Sequence, residues 1–153
     1  MVIRVAAALT CLVIALVLRA NGVGAIQLAI FAALAVVTVL LPASAAPALV
    51  IAFAAVVMVF ADGHPLRLGV LLLIPLLHLV HITSALAAVV PVRAAVAVDA
   101  LKAPARRFVI IQAIVLGLAA VARLLPDGPT PAPVEVLGLG ACAVVLGIVA
   151  LRI

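Results

Sequence analysis

Tryptophan and tyrosine are absent from this chain of 153 residues, and phenylalanine occurs only four times. Membrane helices commonly carry Trp and Tyr at both interfaces, so any positioning in a bilayer falls here to arginine, lysine and proline. Charge is equally scarce: Lys, Arg, Asp and Glu form 8% of the residues, against about 25% in a soluble domain. That is too little polar surface to coat a globule in water, and a water-soluble monomer is excluded. Cysteine is limited to Cys11 and Cys142, both inside apolar runs and without CxxC spacing. Isolated cysteines of this kind act as small hydrophobes and report no redox compartment.

What the chain has instead is apolar sequence. Hydrophobic residues make up 71% of it, and they recur in runs of membrane-spanning length. The expectation is an all-α integral membrane protein: a six-span transmembrane helix bundle forming a single domain, with spans at 1–18, 23–41, 43–61, 66–92, 108–125 and 134–151. Val5 to Leu18, after Arg4, resembles the apolar part of a signal peptide, but Arg19 spoils a small-residue cleavage site, so a retained first span is expected. The stretch 43–61 is Ala-rich and weakly apolar; five spans with this segment re-entrant is the alternative. The fourth segment has 27 residues, about 40 Å of helix, more than a ~30 Å hydrocarbon core. Pro75 lies within it, and four prolines in residues 126–133 make the last connection a stiff, non-helical loop.

The longest interval between apolar runs is the basic stretch Arg93 to Arg107. It is too short for a soluble catalytic or nucleic-acid-binding domain, and no phosphate loop, nucleophile elbow, HExxH or carboxylate pair occurs. A non-enzymatic protein without a nucleic-acid partner is expected. With both termini on the cytoplasmic side, Arg4, Arg93, Lys102, Arg106, Arg107 and Arg152 lie inside, and only Arg19, Arg67 and Arg123 lie outside. That asymmetry satisfies the positive-inside rule and places a multi-pass chain in the cell membrane. Arg93, Lys102, Arg106 and Arg107 then form a cytoplasmic surface for anionic lipid, another membrane subunit or a cytoplasmic partner. Residues 92–103 read as an extension of the fourth helix or a short separate one, ending at Pro104.

Few polar side chains fall within the runs, and each needs a partner or a purpose. His78 and His81 lie at i and i+3 near the middle of the fourth segment, below Pro75, and project from one side of a helix. Such a pair can ligate a metal, relay a proton or hydrogen-bond to neighbouring helices. A haem held between both is disfavoured, because its axial ligands approach from opposite faces. Adding Cys11 and Cys142 would complete a Cys2His2 set if their three helices met. No cofactor is specified by these residues. Gln27 and Gln112 suit interhelical hydrogen bonds, and Ala113-x3-Gly117 and Ala143-x3-Gly147 would let the fifth and sixth helices approach closely.

Two function classes follow. The first is an accessory or scaffold subunit of a larger membrane complex; the second is a small transporter or channel using His78 and His81 for a proton or metal ion. For topology, cysteines introduced at Ala103 and Thr130 are expected to react with membrane-impermeant reagent from opposite sides, Ala103 from the cytoplasm. Labelling of both from one side would overturn the arrangement.

Overall fold

The computed structural model describes residues 1–61, 63, 66–91, 94, 97–123, 136 and 140. The chain divides into two units, Met1–Ala122 and Arg123–Ile153; the first holds nearly all the described residues. Its elements are five helices: α1 (Val2–Ala20), α2 (Ala25–Leu40), α3 (Ala46–Phe60), α4 (Leu68–Val89) and α5 (Val98–Arg123).

Short connections make consecutive helices antiparallel, and each connection has a chemical cause. α1 ends where Gly22 adopts a φ of +86°. Gly22 N–H then donates to Arg19 O and Val23 N–H to Leu18 O, both at 3.1 Å, closing a Schellman turn. Val23 and Leu18 are both buried in the core. At the start of α2, Gln27 Oε1 accepts from Gly24 N–H at 2.8 Å, so this glutamine caps its own helix rather than reaching across to another. Leu41 precedes Pro42, which disfavours further helix, and Ser44 stitches the turn by donating to Leu41 O at 2.7 Å. At the next connection Arg67, the N-cap residue of α4, donates to Ala61 O at 3.0 Å and Met58 O at 3.4 Å. A cation there offsets the negative end of the α3 dipole.

α1 to α4 form an up-and-down bundle in which α1 touches α2 and α4, and α3 touches the same two. The α1–α4 contact is the most extensive. α1 contributes Ala7, Thr10, Cys11, Ile14 and Leu18, a stripe at helical spacing. α4 contributes Leu73, Val80, Thr83, Ser84 and Ala87. Phe31 of α2 and Val50, Ala54 and Val57 of α3 complete the interior. Leu9, Leu12, Leu16, Ile26 and Leu72 are exposed, whereas Thr10, Thr38, Thr83, Ser84 and Gln112 are buried. Leucines exposed beside buried hydroxyls suit a lipid solvent, where small and polar residues mediate helix contacts.

Three described helices, α1, α4 and α5, are long and apolar enough to cross a membrane. The described residues thus support three spans and leave the expectation of six unsupported. α2 and α3 have 16 and 15 residues, about 24 and 23 Å of helix, short of a ~30 Å core. The apolar runs are longer than these helices because Val23, Gly24 and residues 41–45 are consumed by turns and caps. The expected sixth segment, 134–151, and the proline-rich connection before it lie outside the described residues. A correction concerns residues 93–107. The helix begins at Val98 and runs through Pro104 without a break, so Lys102, Arg106 and Arg107 stand on α5 rather than in a loop. Leu101, Pro104 and Phe108 are half-buried and, with exposed Ala105, line a groove shared with Leu79, Ile82 and Leu86 of α4; Pro104 costs the helix one backbone hydrogen bond.

Gly69, near the start of α4, leaves room for Asn21: a Cβ there would collide with the Asn21 side-chain amide, which donates to Val17 O at 2.7 Å. Gly117 of α5 has nothing within 4 Å of a Cβ position. Gly69→Ala is therefore expected to destabilise the fold by about 1–3 kcal/mol. Gly117→Ala should leave it unchanged or stabilise it by up to about 1 kcal/mol. Thermal unfolding in detergent distinguishes the two.

Candidate functional site

The polar residues within α1 to α4 fall into two groups. The threonine hydroxyls are satisfied inside their own helices. Thr10 Oγ1 donates to Ala6 O at 2.8 Å, Thr38 Oγ1 to Leu34 O at 2.9 Å and Thr83 Oγ1 to Leu79 O at 2.7 Å. Such bonds to the i−4 carbonyl let a hydroxyl enter lipid without a partner helix. The His78 imidazole instead bonds to a neighbouring helix.

His78 reaches α5. Its Nδ1 lies 2.7 Å from Gln112 Nε2, and its ring stacks at a tilt on Phe108, with centroids 5.1 Å apart and planes at 42°. Phe108 and Gln112 are four residues apart and so occupy one face of α5. In this orientation the amide nitrogen can only donate, so Nδ1 accepts and the proton of a neutral imidazole sits on Nε2. Gln112 Oε1 is buried without a hydrogen-bond partner among the described residues. Turning the amide by 180° would place Oε1 against Nδ1, which would then have to carry a proton. The pair can thus serve either tautomer, or the imidazolium, without movement of the backbone.

His81 does not share this environment. It is exposed, whereas Ser84, one turn further along, is buried with its Oγ unpartnered among the described residues. His78 is half-buried against α5, whereas His81 is not. Among the described residues no three of His, Cys, Asp or Glu gather as a metal site. Cys11 is buried in the α1 stripe, and the fourth member of the Cys2His2 set, Cys142, lies outside the described residues.

The charged stretch is split in the same way. Lys102 Nζ forms an ion pair with Asp99 at 2.6 Å, one turn apart and highly exposed, a contact of small energetic weight. Arg106 and Arg107 are exposed and carry no ion-pair partner among the described residues. Arg93 and His64 lie outside the described residues. Gln112 was foreseen as an interhelical donor, and α4–α5 is where it acts. Its partner could not be named beforehand, although an amide and an imidazole at mid-helix positions of neighbouring segments were the available signal.

Substituting one member of the pair strands the other in an apolar seam. Gln112→Leu is expected to destabilise the protein by about 1–2 kcal/mol, and His78→Leu combined with Gln112→Leu should recover most of that loss. Additive losses in a double-mutant cycle of thermal stability would show that the two side chains are not coupled.

Compared with known protein families, curated proteins and solved structures, the chain matches none.

Proposed function

We propose that this chain is a non-enzymatic, multi-pass accessory or scaffold subunit of a larger assembly in the cell membrane, and that α5 is the helix it presents to its partner. The observation that carries this reading is the one-sided attachment of α5. Gln112 is its only buried residue among those described, while Val109, Ile110, Ile114, Leu118 and Val121 are exposed. Lipid alone could cover leucines and isoleucines. Gly117 is different: a glycine weakens a helix by about 1 kcal/mol relative to alanine, and among the described residues nothing packs against this one. Its small size, with exposed Ala113 one turn away, is useful when the backbone of another helix approaches.

The orientation follows the charge. α4 residues 79–86 face α5 residues 101–109, with His78 at Gln112, so α5 runs antiparallel to α4. Lys102, Arg106 and Arg107 then lie at the same end of the bundle as Arg4. In the proposed topology that end is cytoplasmic, and the cations, with Arg93, meet anionic lipid headgroups or a cytoplasmic partner.

Extraction from native membranes in mild detergent is expected to return the chain with another membrane protein at fixed stoichiometry. Gly117→Leu should lose that partner with unchanged thermal stability. A monodisperse, partnerless monomer would overturn the proposal. The competing reading, a small transporter or channel using His78 and His81, is separated by the double variant His78→Leu, His81→Leu. If that variant remains folded and assembled yet loses bound metal or pH-dependent flux, transport replaces scaffolding.

A further inference from the structure

We propose that the groove between α1 and α2 binds one anionic phospholipid, with its phosphate on Arg4 and an acyl chain along the groove. The inference does not depend on the role of α5. The groove has a volume of 290 Å³ and apolar walls that include Ala8 and Cys11 of α1 and Phe31, Ala35 and Leu40 of α2. It exists because alanines stand where larger side chains would close the space between the helices.

Arg4 stands at one end. It precedes Ala8 by four residues and so continues the α1 face that lines the groove. Its Nη1 donates to Leu40 O at 3.3 Å, a long bond to the last residue of α2, and Nε is buried with no partner among the described residues. No acidic residue lies in the first turn of α1, where the helix dipole is itself positive. The charge of Arg4 is not neutralised by a described carboxylate, and it would attract a phosphate.

The shape selects the occupant. From Leu40 to Phe31 the α2 wall spans nine residues, about 14 Å, close to half of a ~30 Å hydrocarbon core. The groove therefore covers one leaflet, cationic at its outer end and apolar beyond, which is the polarity profile of a phospholipid. A partner's transmembrane helix would run on through both leaflets. Leu12 and Val36, on the rim, are exposed at 56% and 57%, so a lipid can enter sideways.

The test is native mass spectrometry of the full chain in detergent, titrated with phosphatidylglycerol or phosphatidylcholine. The wild type should retain one phosphatidylglycerol in preference to phosphatidylcholine. Arg4→Gln should weaken phosphatidylglycerol about fivefold, the weight of one cation at an anionic surface, and leave phosphatidylcholine unchanged. Ala8→Phe, at an exposed position of the groove, should lower retention of both lipids. Glycerol phosphate, which has no acyl chain, should not compete. Arg106→Gln with Arg107→Gln should preserve the preference. The proposal is overturned by equal retention of the two lipids, by a preference that survives Arg4→Gln, by competition from glycerol phosphate, or by a preference that only the Arg106 and Arg107 substitutions remove. A dimer abolished by Ala8→Phe would assign the groove to a second copy instead.

Discussion

In hydrocarbon a polar group has no water to fall back on, and the architecture of this chain follows from where each such group finds a partner. Threonines 10, 38 and 83 bond to carbonyls of their own helices and so impose nothing on the packing. Arginines 4 and 67 reach the carbonyl ends of α2 and α3, which ties the helix ends together and returns the chain to the bundle. His78 and Gln112 bond to one another across helices, which fixes one point of contact between α4 and α5. Apolar residues cannot do this in lipid, where a leucine is as well solvated outside the bundle as inside.

The same physics accounts for the uneven packing. α1 and α4 meet through a long interface of small, branched and hydroxyl-bearing side chains, and dispersion across such a close-fitting surface holds helices together in a membrane. α2 and α3 are shorter and give up residues to the turns at both ends, so the bundle contains helices of two lengths. α5 adds an aromatic contact and one hydrogen bond to α4 and otherwise leaves its surface open. A rigid four-helix unit with a fifth helix attached on one side suits a subunit that offers that helix to another protein.

Much of the local structure was legible in the sequence. The first four apolar runs overlap α1 to α4, the fifth overlaps the second part of α5, and Gln112 bonds between helices. The errors share a cause. Val23 and Gly24 are as apolar as the helix they precede, so hydropathy counted turn residues as membrane span. Pro104 lacks a backbone donor and reads as a stop, yet it stands inside α5, which continues to Arg123. His78 and His81 are near neighbours on any helix, but an arc of less than half the circumference is enough for α5 to cover one and leave the other exposed.

Composition and periodicity therefore determined what is additive along the chain: apolar helical elements compatible with a membrane, a net positive charge and the absence of any recognisable catalytic motif. Each of these depends on residues taken singly or within one turn of each other. Tertiary structure decided what depends on the rotation and offset of one helix against another. That includes the usable length of α2 and α3, the continuation of α5 past Pro104, the pairing of His78 with Gln112 and the groove that begins at Arg4. Rotation and offset are set by the joint fit of two surfaces, and no single segment carries that information.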